Sequence, residues 1–165
     1  MNPIPSLVIL WRQEPFRWRG ITVTPQLRIP KSQIQNLASL VATFAHELSH
    51  FYLATIPFEP PAGPSAEEHA TDVCAVAMGF GIFLANTAQG YANGAVISRK
   101  GYLGEIALSY ALAIFSELKG VPEKELRRHL KSNPRSYVGS ALRDLRKRWP
   151  KRLEALRQVK PHDVM

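Results

Sequence analysis

The segment from Ile34 to Phe51 constrains the fold more than any other part of the sequence. Its apolar residues recur at steps of three and four, the period of one helix face, at Ile34, Leu37, Leu40, Val41, Phe44, Leu48 and Phe51. The prolines of the following "IPFEPPAGP" cannot continue a helix, so we expect this one to end near Thr55. A chain of 165 residues suits one compact domain. We therefore expect residues 1–165 to form a single domain that contains this helix.

Short β-rich runs precede this helix, and further helices follow it. "SLVILW" and "GITVTPQLRI" are typical of strands, and Pro25 favours an edge strand because proline cannot donate to a ladder. Four more helices are predicted, over 65–88 and 104–118 and after Pro122 and Pro134. This order predicts a mostly helical α+β fold. We expect a small antiparallel sheet in 1–30, two helices in 31–90 and a C-terminal helical part in 91–165.

The first helix carries three polar residues within the largely apolar stretch "FAHELSHFYL". His46 and His50 are four residues apart, so they lie on one helix face and can direct their imidazoles at a common point. Glu47 follows His46 and is free to take a proton from water at that point. A helix that carried these residues incidentally would have to supply partners for all three in a half-buried stretch. We therefore predict a zinc site that has its own general base.

A third metal ligand is available in "SAEEHATDVCAV", which opens the second predicted helix. Glu68 and Asp72 are four residues apart and share a face. Glu68 could complete a His₂Glu ligand set, and Asp72 could accept the free N–H of a metal-bound histidine. Ser65 and Glu68 also fit a capping box, in which Glu68 would serve the helix and not a metal. Glu67 and His69 are the other candidate ligands.

Together these residues resemble the gluzincin metallopeptidases. That family pairs His-Glu-x-x-His on an active-site helix with a downstream glutamate helix that reads Asn-Glu-x-x-Ser-Asp. Here the second element reads "EEHATD", so the resemblance assigns the metal-binding glutamate to Glu68 and the final aspartate to Asp72. Glu67 replaces the asparagine, and Thr71 replaces the serine. The resemblance covers roughly residues 20–90 and is strongest to the minimal members of the group, because only seventeen residues separate His50 from Glu68.

The resemblance implies a zincin-like fold and a zinc-dependent peptidase that acts on a protein or peptide. Glu47 would be the general base, and a tyrosine or histidine would stabilise the oxyanion. We favour Tyr102 for that role because it lies at a loop-to-helix junction, with Tyr91, Tyr110 and His69 as alternatives. The strand "TVTPQLRI" would border the cleft and pair with an extended substrate.

The charge of the chain is concentrated in its second half. The net charge is +8, and the run from Arg143 to Lys160 holds eight basic and two acidic residues. Such a run is typical of a solvated helix face, or of a surface that binds a nucleic acid, an acidic partner or a membrane surface. The alternative function is therefore a regulatory zinc-fold protein that binds a nucleic acid or an acidic partner through this helix. Glu47 favours the enzyme, since a binding module needs no general base.

Cysteine content and hydropathy suggest a soluble cytoplasmic protein. Cys74 is the single cysteine, so no internal disulfide can form, which fits a reducing compartment. A structural zinc site, with four protein ligands and usually cysteine, is also disfavoured. The first residues do not have the pattern of a signal peptide. The longest apolar run, "VCAVAMGFGIFLA", has thirteen residues, whereas a membrane span needs about 20. We expect no membrane span and interpret this run as a buried core helix.

Overall fold

The computed structural model describes residues 6–10, 16–18, 21–23, 26–30, 36–92, 95–99 and 101–159, and within them the chain is mostly helical, as predicted. The helices are α1 (Leu37–Thr55), α2 (Glu67–Ala75), α3 (Gly81–Thr87), α4 (Glu105–Lys119), α5 (Glu123–Arg128), α6 (Ser132–Arg148) and α7 (Pro150–Gln158). A 3₁₀ turn (Pro64–Ala66) precedes α2, and a π-helical segment (Val76–Phe80) joins α2 to α3.

The strands form antiparallel pairs at two places in the chain. They are β1 (Ser6–Leu10), β2 (Phe16–Trp18), β3 (Ile21–Val23), β4 (Gln26–Pro30), β5 (Gln89–Ala92) and β6 (Ala95–Arg99). In the described residues β1 pairs with β4, β2 with β3, and β5 with β6, each as a two-stranded ladder. The run "GITVTPQLRI" thus contributes to two ladders, and Pro25 lies outside the described residues. The β5–β6 ladder was not predicted.

The helix ends follow local signals in the sequence. The side chain of Asn36 caps α1 by accepting a hydrogen bond from the backbone N–H of Ser39 at 3.1 Å, and α1 ends at Thr55 as predicted. The predicted stop of α4 at Gly120 is also confirmed, since this residue has the left-handed conformation (φ 67°) that favours glycine.

The prediction of one continuous helix over 65–88 is wrong, because the chain bends between α2 and α3. Gly79 has a φ of 96° inside the π-helical segment, a conformation that glycine adopts at little cost. The bend lets α3 pack against both α1 and α4. At Gly81, an added Cβ would lie 2.8 Å from Cδ1 of Leu112, so glycine also permits the close approach of α3 to α4.

The core is centred on α4, which packs against α6 on one side and α3 on the other. Its buried apolar residues include Leu108, Leu112 and Ala113 on α4 and Val138 and Leu142 on α6. Close packing of these side chains holds α4 in place, and the turn before α4 contributes to the site described below.

One helical stretch has the length and composition of a membrane span. Within the described residues, Pro64–Thr87 is 24 residues long and has a mean hydropathy of 1.4 over its most apolar window, 39% of which is buried. Core helices of soluble proteins also meet these criteria, so this is weak evidence for a span. The expected burial holds only for part of the run, because Val76 and Leu84 are buried whereas Val73 and Met78 are exposed.

Leu112→Ala should destabilise the protein by about 2–5 kcal/mol, because Leu112 is 2% exposed and its truncation leaves a cavity in the core. Ile106→Ala on the same helix is the control: Ile106 is 64% exposed, and its truncation should change stability by less than about 0.5 kcal/mol. Chemical denaturation measures both. Equal effects of the two substitutions would contradict this packing.

Candidate metal centre

Helices α1 and α2 bring His46, His50 and Glu68 together. Oε2 of Glu68 lies 3.2 Å from Nε2 of His46 and 3.1 Å from Nε2 of His50, and the two Nε2 atoms are 3.2 Å apart. Tetrahedral bonds of about 2.0–2.1 Å would separate the ligand atoms by about 3.3 Å, so these three fit one face of a metal tetrahedron. The three side chains are 15%, 30% and 37% exposed, respectively, which leaves the cluster accessible from solvent. The residues could therefore hold a metal ion.

The local sequence directs each of these side chains toward the others. The histidines share one face of α1, while Ala45 and Ser49 are buried on the adjacent face. Glu68 lies in the first turn of α2, where a negative charge is favoured. Ala66 is the N-cap of α2 and no side chain caps this helix, so the capping-box alternative is wrong.

Both histidines have a partner at Nδ1, on the side of the ring opposite the cluster. Nδ1 of His46 lies 2.8 Å from Oδ1 of Asp72, and Nδ1 of His50 lies 3.3 Å from Oγ1 of Thr71. The Thr71 hydroxyl donates to the backbone carbonyl of Glu67, so its oxygen can accept a hydrogen bond from the Nδ1–H of His50. A proton on each Nδ1 leaves the Nε2 lone pairs to act as ligands. The contact of Thr71 with His50 was not predicted from the sequence.

Asp72 also fixes the turn that leads into α4. Its Oδ2 atom accepts hydrogen bonds from the backbone N–H groups of Tyr102 (2.9 Å) and Leu103 (2.8 Å), and the residue is 1% exposed. Gly101 has a φ of 75°, and an added Cβ would lie 3.2 Å from Oδ2 of Asp72. One buried carboxylate therefore holds both a histidine of the cluster and the turn that carries Tyr102.

The charges of Asp72 and His46 stabilise each other. Burial alone would raise the pKa of Asp72, but hydrogen bonds from His46 and from the N–H groups of Leu103 and Tyr102 outweigh it and lower that pKa. Burial would also lower the pKa of His46, but the hydrogen bond and the charge of Asp72 raise it above the ordinary value. A metal and a proton compete for Nε2 of His46. Metal binding should therefore weaken as the pH falls and this histidine becomes protonated.

Two further candidate catalytic residues lie beside the cluster. The ring of Tyr102 stacks on that of His46, with centroids 5.7 Å apart and planes at 18°. Glu47 is exposed and lines a cavity of about 200 Å³ together with His46, Asp72 and Tyr102. Glu47 and Tyr102 are therefore both accessible at the edge of the cluster.

The other candidates for the oxyanion role lie elsewhere or outside the described part. The hydroxyl of Tyr110 donates to Asp144 at 2.9 Å and so is directed toward α6. His69 is exposed and has no hydrogen bond or ion pair to any residue that the structure describes. The side chain of Tyr91 lies outside the described part of the chain. Of the three candidates whose side chains the structure describes, Tyr102 is the one with a ring contact to a histidine of the cluster.

No protein-family model, curated protein or solved structure matches this sequence. What characterises the chain is therefore its own geometry: a His-His-Glu cluster that could bind a metal, supported by Asp72 and Thr71 behind the histidines.

Gly101→Ala should weaken divalent-metal binding about 10-fold, because the new methyl group would displace the Asp72 carboxylate that orients His46. Gly63→Ala is the matched control. Gly63 has a similar φ of 81°, but an added Cβ would meet no atom within 4 Å. Both variants should lose about 1–3 kcal/mol of stability, because each places a side chain on a backbone with positive φ. Metal titration and thermal unfolding separate the two effects, and equal metal affinities would contradict the role of Asp72.

Proposed function

We propose that the protein is a zinc-dependent peptidase that hydrolyses peptide bonds with Glu47 as its general base. The observation that carries this proposal is the convergence of His46, His50 and Glu68. Glu47, which is not one of these three residues, lines a cavity together with His46. Three protein ligands and an open position are typical of catalytic zinc, whereas structural zinc usually has four.

Each residue of the site has a role in this reaction. His46, His50 and Glu68 would hold the ion, which when bound acts as a Lewis acid and makes water nucleophilic near neutral pH. Glu47 takes a proton from the attacking water and passes it to the leaving amine. Tyr102, held against the ring of His46, donates a hydrogen bond to the substrate carbonyl oxygen as negative charge develops on it.

Asp72 and Thr71 act through the histidines. Because Asp72 accepts a hydrogen bond from the Nδ1–H of His46, it keeps that imidazole in the tautomer that presents Nε2 to the ion. Thr71 does the same for His50. Asp72 also binds the backbone of Tyr102, so the geometry of the ligands and that of the oxyanion donor depend on the same carboxylate.

The arrangement of elements supports the resemblance to gluzincins. In this interpretation α1 is the active-site helix, α2 is the glutamate helix, and the region of β3 and β4 supplies the strand that pairs with an extended peptide. The domain would then be zincin-like, with an antiparallel N-terminal sheet. We propose a cytoplasmic location, in line with the single cysteine.

The alternative, a regulatory protein that binds a nucleic acid or an acidic partner through 143–160, is less well supported. Arg146 pairs with Glu117 at 2.7 Å and with Glu123 at 2.9 Å, and Arg157 also pairs with Glu117 at 3.0 Å. These ion pairs neutralise part of the positive charge within the molecule. They also give the basic residues a role in attaching α6 and α7 to the neighbouring helices.

His46→Ala and His50→Ala should each abolish stoichiometric zinc binding, because each removes one of three ligands. His69→Ala is the control and also tests the alternative ligand: this exposed histidine should be dispensable. Zinc content is measured by elemental analysis of the purified proteins. Full retention of zinc in both of the first two variants would refute the proposed ligand set.

Glu47→Gln should preserve zinc content and the fold but lower kcat by about 10²–10⁴-fold, since the amide cannot accept the proton from water. Glu125→Gln, at an exposed glutamate on α5, should leave kcat unchanged. Hydrolysis of a peptide library, followed by mass spectrometry, provides the measurement. Undiminished cleavage by the Glu47 variant would exclude this mechanism.

A further inference from the structure

A cavity of about 640 Å³ adjoins the metal cluster on the His50 side. Its volume lies within the range of about 300–1,000 Å³ that is typical of ligand-binding pockets. Two of its lining residues, His50 and Thr71, belong to the cluster or support it, and Glu67 directly precedes the ligand Glu68. A group bound in this cavity would therefore lie next to the bond that the proposed peptidase cleaves.

The cavity combines apolar walls with negative charge. Its lining includes the apolar residues Leu53, Ile56 and Phe58 and the acidic residues Glu59 and Glu67. No lysine or arginine lines it among the residues that the structure describes. The carboxylates of Glu59 and Glu67 have no hydrogen bond or ion pair to any residue that the structure describes.

The wall that carries Glu59 is conformationally restricted. It belongs to the loop "IPFEPPAGP", in which four prolines limit the backbone. Backbone hydrogen bonds from Phe58 N to Ile56 O and from Gly63 N to Pro60 O, both 2.8 Å, close two turns of the loop. Pro60 is buried and attaches the loop to the domain. Because the wall is already ordered, less entropy is lost when a ligand binds to it.

We propose that this cavity binds an arginine or lysine side chain of the peptide substrate, at a residue adjoining the cleaved bond. This inference rests on the proposed peptidase function. The long aliphatic stem of either side chain fits the apolar walls, and its cationic end pairs with Glu59 and Glu67. The same two carboxylates repel acidic side chains, so the cavity selects against aspartate and glutamate.

The first test compares peptides that differ at one residue next to the cleaved bond, arginine or methionine. Methionine has a long unbranched side chain but no charge. The ratio of kcat/KM for the two peptides should favour arginine by about 5-fold for each carboxylate. Glu59→Gln and Glu67→Gln should each reduce this ratio, the double variant should bring it close to one, and Glu125→Gln should preserve it. The inference is overturned if the cleavage sites of a peptide library show no enrichment of arginine or lysine. It is also overturned if the kcat/KM ratio is unchanged in the double variant.

The second test does not depend on hydrolysis. Zinc-loaded Glu47→Gln protein is titrated with labelled Ala-Ala-Arg-Ala-Ala and Ala-Ala-Met-Ala-Ala, and binding is followed by fluorescence anisotropy. The arginine peptide should bind more tightly, and adding Glu59→Gln should reduce the difference at unchanged zinc content. If the arginine peptide binds more tightly but the wild type cleaves no peptide, the proposed peptidase function is wrong and the cationic subsite is supported. If the wild type cleaves peptides but both labelled peptides bind equally well, the proposed subsite is wrong and the peptidase function is supported.

Discussion

The site depends on one buried carboxylate, that of Asp72. One of its oxygens contacts Nδ1 of His46, and the other accepts two backbone hydrogen bonds from the turn before α4. A buried carboxylate without such partners would be strongly destabilising, so the turn and the histidine are needed to satisfy it. Asp72 therefore couples the candidate metal centre to α4 and hence to the packed core.

That coupling gives the site a rigid support. The candidate ligands are on α1 and α2, while Tyr102 is carried by the turn into α4, which packs against α6. Sites built on packed helices keep their geometry better than sites built on loops. Glycine is favoured at this junction because other residues rarely adopt a φ of 75° and because an added Cβ would lie only 3.2 Å from Oδ2 of Asp72. Stability and proposed catalysis thus share the same contacts.

The cavity near the cluster and the C-terminal helices carry opposite charge. Near the cluster, the larger cavity carries the carboxylates of Glu59 and Glu67, whereas the basic residues gather on the C-terminal helices. There, Arg146 and Arg157 pair with Glu117. A cationic peptide would be attracted to the acidic cavity and repelled by the C-terminal surface. The net charge of +8 therefore does not predict the local charge at the candidate site, where Glu59 and Glu67 line the cavity.

The sequence by itself determined the features that depend on short-range geometry. The spacing of His46 and His50 places both on one face of α1, and the proline-rich segment after Thr55 ends that helix, because both effects act within one or two helical turns. The pair "NG" between β5 and β6 is also a local sequence signal for a hairpin. Only the tertiary structure decided the bend at Gly79, the contact of Asp72 with the turn at Gly101, and the acidic cavity. These depend on residues distant in sequence that meet only after the helices pack, and periodicity carries no information about such contacts.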